Sequence, residues 1–498
     1  MVIPATMNTR IPDRQQEELS PAKKRRQVSA IPVALLSLFI VLVAWVWIYV
    51  VAEDPAKALS LISPKAKLIA VWSTAISPFL ILGSVAAVTI WSYILVNKKM
   101  LFMVLLTISY VFSEVLLRGV NEIAFFVRYV SIIVLISLGA VELGKRFREG
   151  LDSTQVLGSA YLLWMIFNVL FVGSDISSFM MLPIQMAVLI GMFFGFKSIY
   201  GDYRDIENIC TMLGWAGVCL TVFHLFSFAL VGQPFLAGRF RSVFVFPTNF
   251  ANTYALLFIP MVWFAMRERS FARKVGLWSL VLIGFSLLFL SGTRNSLAAL
   301  ILASPLFAVE RRMRVAALTL LGVGVLVVFT FLSFHESETV GYLGERLTTF
   351  GSKDRYELWK LSWQYISSKP FVGYGLAKEL LVPTYSALYG MMLTTINTHN
   401  AYLGIWMQTG LPSVLLVLAI YCISIGHGLT MLFSRRISQD MKGILVLPVI
   451  LLVVLFAEGF LEENLTSRGS MQQVFWGMSV FLIARFKEIV STGQVKVR

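Results

Sequence analysis

Charge is scarce in this sequence. Of 498 residues, 14% are Asp, Glu, Lys or Arg, where a soluble domain carries about 25%. Hydrophobic residues reach 57% and mean hydropathy is +0.78. No single water-soluble core hides that much apolar surface, so a cytosolic enzyme and a secreted domain are both excluded. Cysteine is scarcer still. Cys210, Cys219 and Cys422 sit in apolar surroundings without CxxC spacing, and they make neither a disulfide framework nor a thiolate metal site. The histidines, His224, His335, His399 and His427, are too scattered to pair on a helix, so no zinc site follows from them. P-loop, HExxH and GxSxG motifs are missing as well.

Lys and Arg outnumber Asp and Glu by 42 to 27, a net charge of +15. The cations are spread over loops between apolar runs, which speaks for membrane orientation and against a nucleic-acid partner. Residues 1–30 carry Pro4, Pro12, Pro21 and the run Lys23-Lys24-Arg25-Arg26; they are expected to form a disordered basic cytoplasmic tail. Apolar runs long enough to span a bilayer then follow: Ile31–Ala52, Ser73–Val96, Met100–Leu117, Ile123–Leu143, Val156–Gly173, Phe179–Ile199, Ile209–Val231, Asn249–Met266, Val275–Ser291, Asn295–Val309, Val315–Phe334, Leu411–Leu432, Gly443–Leu461 and Met471–Ala484.

The expected fold is therefore an all-α polytopic membrane protein of about fourteen transmembrane helices. Eleven of them fall in residues 31–334 and the rest in 399–486, before a short cytoplasmic tail at 487–498. With Lys23–Arg26 inside, every second loop is basic, from Lys98-Lys99 to Arg485 and Lys487, so both termini are expected in the cytoplasm. Lys57, Lys65 and Lys67 are the main departures from that ladder. Residues 335–398 form one large loop on the outer side. Within it Tyr356, Trp359, Trp363 and Ile366 recur at helical spacing, which predicts an ordered amphipathic helix on the outer membrane face.

The informative side chains are cations outside the ladder. Arg128 falls in mid-span, where a buried cation is either functional or the structural partner of Glu114, Glu122 or Glu142. Arg239 and Arg241 lie in GRFRSVFVFPTN, Arg294 in LSGTRNSLAAL and His399 in NTHNAYLGIWMQTGLP, all at span ends that map to the outer face. Outer-face arginines invite an anion, and a planar guanidinium suits phosphate oxygens. A lipid headgroup or a carboxylate satisfies such an arginine equally well, and a lone histidine near a helix start serves structure as readily as catalysis. The acidic pairs Glu53-Asp54 and Glu462-Glu463, the latter in an outer loop, are each suited to a divalent cation, but exposed acidic pairs are usually just solvated.

Three stretches resemble the bacterial O-antigen ligase and O-antigen polymerase family of membrane glycosyltransferases. They are GRFRSVFVFPTNFANTYAL, with Ser242 where glycine is common and Thr248 between Pro247 and Asn249; SGTRNSLAAL; and RYELWKLSWQYISSKPFVGYGL followed by NTHNAYLGIWMQTGLP. The likeness is strongest from about Gly238 to Gly410 and weak over the first spans. It implies a glycosyltransferase-C-like fold and an undecaprenyl-diphosphate-linked glycan donor used at the periplasmic face of the bacterial inner membrane, without metal or other cofactor. It further implies that Arg239 and Arg294 hold the donor diphosphate, with Arg241 the rival of Arg239, that His399 is the catalytic base, and that Arg355 contacts glycan or phosphate from the loop. A ligase passes the glycan to a lipid A-core sugar or other glycan or glycolipid acceptor; a polymerase joins lipid-linked repeat units. A lipid-linked glycan flippase would also want cations facing a diphosphate, and neither it nor a non-catalytic scaffold for an envelope complex would need His399.

Overall fold

The computed structural model describes residues 30–46, 83, 85–113, 115–117, 119–146, 151–173, 182–230, 234–236, 239–244, 246–310, 314, 318, 322, 353–376, 381–386, 390–395, 398–462 and 470–492. Helices dominate. In chain order they are α1 (Ala30–Val46), α2 (Val85–Asn97), α3 (Lys99–Phe112), α4 (Val120–Arg146), α5 (Ser153–Phe171), α6 (Leu182–Ile199), α7 (Tyr203–Leu230), α8 (Pro247–Arg267), α9 (Phe271–Leu290) and α10 (Arg294–Ala303). After these come α11 (Lys353–Ser368), α12 (Ala401–Thr409), α13 (Leu411–Phe433), α14 (Gln439–Gly459) and α15 (Met471–Ser491). Eight helices among the described residues are long and apolar enough to cross a membrane, as expected of a multi-pass membrane protein. Most predicted spans coincide with a helix; Val315–Phe334 lies almost wholly outside the described residues.

Two spans among the described residues depart from simple α-helix. The middle of α6, Ala187–Gly195, is wound as a π-helix. It presses on α4 where glycines remove the side chains between the backbones: a Cβ on Gly191 would meet Leu135, and one on Gly139 would meet the Ile190 carbonyl. The apolar run Asn295–Val309 breaks after Ala303 into a 3₁₀ turn, Ser304–Val309, because Pro305 has no N–H to continue the α ladder. Small residues also bring α7 against α8. A Cβ at Gly214 would strike Phe264, and one at Gly217 the Leu257 carbonyl, the kind of close approach that packing between helices in lipid favours.

The basic ladder is gathered at one end of the bundle. Lys99 pairs with Asp205 at 2.5 Å, Arg267 with Glu207 at 3.5 Å and Lys197 with Glu488 at 3.0 Å. Around the opposite end lie the hairpin β1 (Phe235–Leu236) and β2 (Arg239–Phe240), and the helix of the large loop.

That loop is built on the chain turning into α13. On α11, Trp359 Nε1 donates to the Thr398 carbonyl at 2.8 Å, and Ile366 is buried with Met407 of α12. Tyr356 and Trp363 of the predicted apolar stripe remain 67% and 53% exposed, Trp363 edge-on to Trp406. Trp406 Nε1 donates to the Pro370 carbonyl, and Asn168 of α5 to that of Val372. A second hairpin, β3 (Leu381–Ser386) with β4 (Gly390–Thr395), adds a strand element that the all-α reading lacks. Gly410, with φ +82°, closes the junction between α12 and α13, where a Cβ would collide with the Phe371 carbonyl. Gly410→Ala is therefore expected to lower the Tm of the detergent-solubilised protein, at a cost of more than about 1 kcal/mol, as a positive-φ glycine demands.

Candidate functional site

Three segments far apart in sequence meet where α7, α9 and α14 end and α8, α10 and α12 begin. The first is the turn between α7 and α8. Pro247 at the start of α8 fits a position whose N–H has no helical partner. Before it, Arg241 N and Ser242 N both donate to the Pro234 carbonyl, and Phe244 N donates to that of Arg241. The chain here is also tied to the α3–α4 connection, through a Val115–Phe244 bridge and Leu116 N donating to the Val243 carbonyl at 2.7 Å.

Arg239, on β2 and half-buried, reaches from this turn to the second segment. Its Nε donates to the Ser291 carbonyl at 2.7 Å and its Nη2 to Thr293 Oγ1 at 3.0 Å. Ser291 caps α9, Gly292 turns the chain with φ +60°, and Thr293 is the extended N-cap of α10. Arg294 is then the first residue of α10; its side chain is outside what the structure describes. The Arg239 guanidinium is thus fixed to the two residues that set where Arg294 leaves the backbone. N–H groups that open a helix add partial positive charge at the same place. Arg241, also half-buried, is placed by its backbone bonds to Pro234 and Phe244.

The third segment holds His399. Thr398 Oγ1 donates to the Asn400 carbonyl, Asn400 Oδ1 accepts from Leu403 N to cap α12, and Asn400 Nδ2 donates to the Phe460 carbonyl at 3.0 Å. Between these two anchored neighbours His399 adopts φ +44°, a conformation uncommon for residues with a Cβ and worth attention where a reactive group is carried. Its Nδ1 faces Glu462 Oε2 at 3.8 Å, and its side chain keeps 38% of its surface exposed. Arg355 lies one turn before Trp359 on α11, and Trp359 holds the carbonyl of the residue preceding His399; the Arg355 side chain is not among those described.

Glu462, which the sequence places in a solvated pair, is not solvated. It is buried, accepts from Asn295 Nδ2 at 2.6 Å and so joins the residue after Arg294 to the imidazole. Glu458, one turn earlier, is fully buried next to Ser296, whose hydroxyl donates to Asn252 Oδ1 of α8. The sequence did carry a signal for this: two carboxylates spaced i, i+4 at the end of an apolar span share a face, and charge at such a place is functional by default. Glu463 lies outside the described residues.

Arg128 has another setting. It is buried, donates from Nη1 to Ser113 Oγ at 3.0 Å and stacks 5.0 Å from the Tyr110 ring centroid, with Phe125 and Tyr129 nearby. A desolvated guanidinium gains from such ring faces. Among the described residues no group of three or more His, Cys, Asp or Glu side chains could hold a metal ion.

Residues 279–418 match the family model described as O-antigen ligase. The match spans less than a third of the chain and contains Arg294, Arg355 and His399; Arg239, Arg241 and Glu462 lie on either side of it. It supports the kinship to the O-antigen ligases and polymerases read from the motifs. No curated protein matches the chain.

Proposed function

We propose that this chain is a membrane glycosyltransferase that moves a glycan from undecaprenyl diphosphate to the hydroxyl of an acceptor sugar at the periplasmic face of the bacterial inner membrane. The observation that carries the reading is the meeting of Arg239, the turn opening on Arg294 and the His399–Glu462 pair at one end of the bundle, with the O-antigen ligase match across two of the three segments. The topology that goes with it is about fourteen spans, both termini in the cytoplasm and the loop of residues 335–398 outside.

In this mechanism the anomeric carbon of the donor loses a diphosphate whose negative charge grows as the bond breaks. Arg239 and Arg294 hold that charge, and fixed guanidinium groups shielded from water stabilise it more than bulk solvent can. His399 takes the proton from the acceptor hydroxyl as its oxygen attacks the opposite face, which inverts the anomeric configuration. Glu462 lies 3.8 Å from Nδ1 and places a carboxylate beside the ring. Two guanidinium groups take the part that a divalent cation plays in other transferases, so the reaction runs without one. Arg128, enclosed by rings in mid-span, gives a transport path no support.

A ligase-type acceptor, a lipid A-core or other surface glycan, is favoured over a second lipid-linked repeat unit by the likeness of the loop segment. The test is transfer by the purified protein in EDTA, with lipid A-core and lipid-linked repeats offered as separate acceptors. Product with lipid A-core is expected; product only with repeat units makes the enzyme a polymerase. No product with either acceptor, from folded protein that binds donor, overturns the transferase reading.

A further inference from the structure

We propose that His224, buried in α7, is a positioning residue for donor binding: its hydrogen bond to Ser242 holds the arginine turn in the left-handed conformation that lets Arg239 reach the Ser291–Thr293 turn. The proposal rests on the reading of Arg239 as a donor ligand.

Ser242 has φ +54°. That region is open to glycine, whereas a residue with a Cβ needs something to keep it there. Ser242 is fully buried, so its hydroxyl requires a partner, and that partner is His224 Nδ1 at 2.7 Å. The imidazole is itself held in place. Its ring meets Phe250 at 4.8 Å and Tyr254 at 5.2 Å, both edge-on, and Phe244 at 5.9 Å. Ser242 is thereby attached to a rigid point on the α7–α8 interface rather than to a mobile side chain.

The polarity of position 224 is otherwise unexplained. His224 has no exposed surface, is lined by aromatic rings, and its Nε2 has no hydrogen-bond partner among the described residues. An apolar residue of similar size would fill this space without burying polar nitrogens. What only the imidazole supplies is the bond to Ser242. Three residues before Ser242 lies Arg239, and Phe240 between them is buried against Phe250. Loss of the pin lets residue 242 leave the left-handed region, which reorients the chain that carries both arginines. The rival explanation is that the bonds of Arg241 N and Ser242 N to Pro234 O, with Leu116 N to Val243 O, hold the turn unaided. His224 would then be packing alone.

A double-mutant cycle separates the two. His224→Phe keeps the ring volume and removes the bond; Ser242→Gly removes the hydroxyl and makes positive φ free. With undecaprenyl-diphosphate-linked glycan as the varied substrate, His224→Phe is expected to raise donor KM about tenfold, with acceptor KM unchanged. The pair His224→Phe/Ser242→Gly is expected to return donor KM to within about twofold of wild type. Thermal unfolding of the same four proteins reports the coupling between positions 224 and 242 without reference to activity. Unchanged donor KM in His224→Phe, or a double variant as impaired as His224→Phe, overturns the proposal. Coupled melting with no change in donor KM also overturns it, leaving the pin as a purely structural bond. A wild-type protein that transfers nothing brings down the transferase reading itself, a result seen before any variant is compared.

Discussion

His399→Ala is expected to reduce glycan transfer by about 10²- to 10⁴-fold, the range for loss of a general base, while donor binding and membrane insertion survive. Three features single out this residue. Its neighbours Thr398 and Asn400 are anchored on both sides, to α11 through Trp359 and to the end of α14 through the Phe460 carbonyl. Its own backbone is held at φ +44°. Its Nδ1 edge faces the Glu462 carboxylate at 3.8 Å, and 38% of its side chain is exposed. Alanine at positive φ adds a stability cost that could be mistaken for lost chemistry, so His399→Asn belongs beside it, since asparagine tolerates that conformation better. Both variants are expected to fail in transfer, and Asn is expected to melt like wild type. Glu462→Gln should lose less, about tenfold, because the bond from Asn295 has a surviving oxygen and only the charge behind the imidazole is gone. A flippase or scaffold would tolerate all three changes, so near-normal transfer by His399→Asn would remove the base from the mechanism.

Much of the architecture is legible in the sequence because lipid makes it so. A span must satisfy its own backbone, and a run of apolar residues announces that in one dimension. The basic ladder is equally local, and Lys99, Lys197 and Arg267 do gather at one end. Local rules fail where two elements decide together. The π-helical stretch Ala187–Gly195 depends on what α4 presents to it. The β3–β4 hairpin contains Pro383, which argues against a strand, yet a two-stranded hairpin has an outer edge where a missing N–H is harmless. At the candidate site, motif order indicates which segments to compare but not how they touch. Arg239 to Thr293, Asn295 to Glu462 and His224 to Ser242 are contacts between different helices and loops, and no periodicity records them. Glu462 is hidden for the opposite reason: its spacing from Glu458 is visible, but an acidic pair near a helix end reads as solvated until the helices around it are known.

Arg239→Ala is expected to lower kcat/KM for the lipid-diphosphate donor by about 10²- to 10³-fold, comparable to loss of one preorganised donor to a developing oxyanion. The geometry demands more than charge from this side chain. Nε and Nη2 are committed to Ser291 and Thr293, and the planar fork lets a guanidinium make such bonds and still present positive charge to a phosphate. An ammonium cannot do both, so Arg239→Lys should recover little of the loss. Arg294→Ala should fall by a similar factor, and the two losses should not add, because removing Arg239 also frees the turn that aims residue 294. Arg241→Ala decides the register between the two neighbouring arginines. If Arg241→Ala is the severe variant and Arg239→Ala is mild, Arg239 is a strut and the donor ligand lies two residues on. Should Arg294→Ala at native expression transfer normally, the diphosphate assignment falls whichever neighbour holds the turn. In that case the cluster at this end of the bundle serves to shape His399 and Glu462 alone.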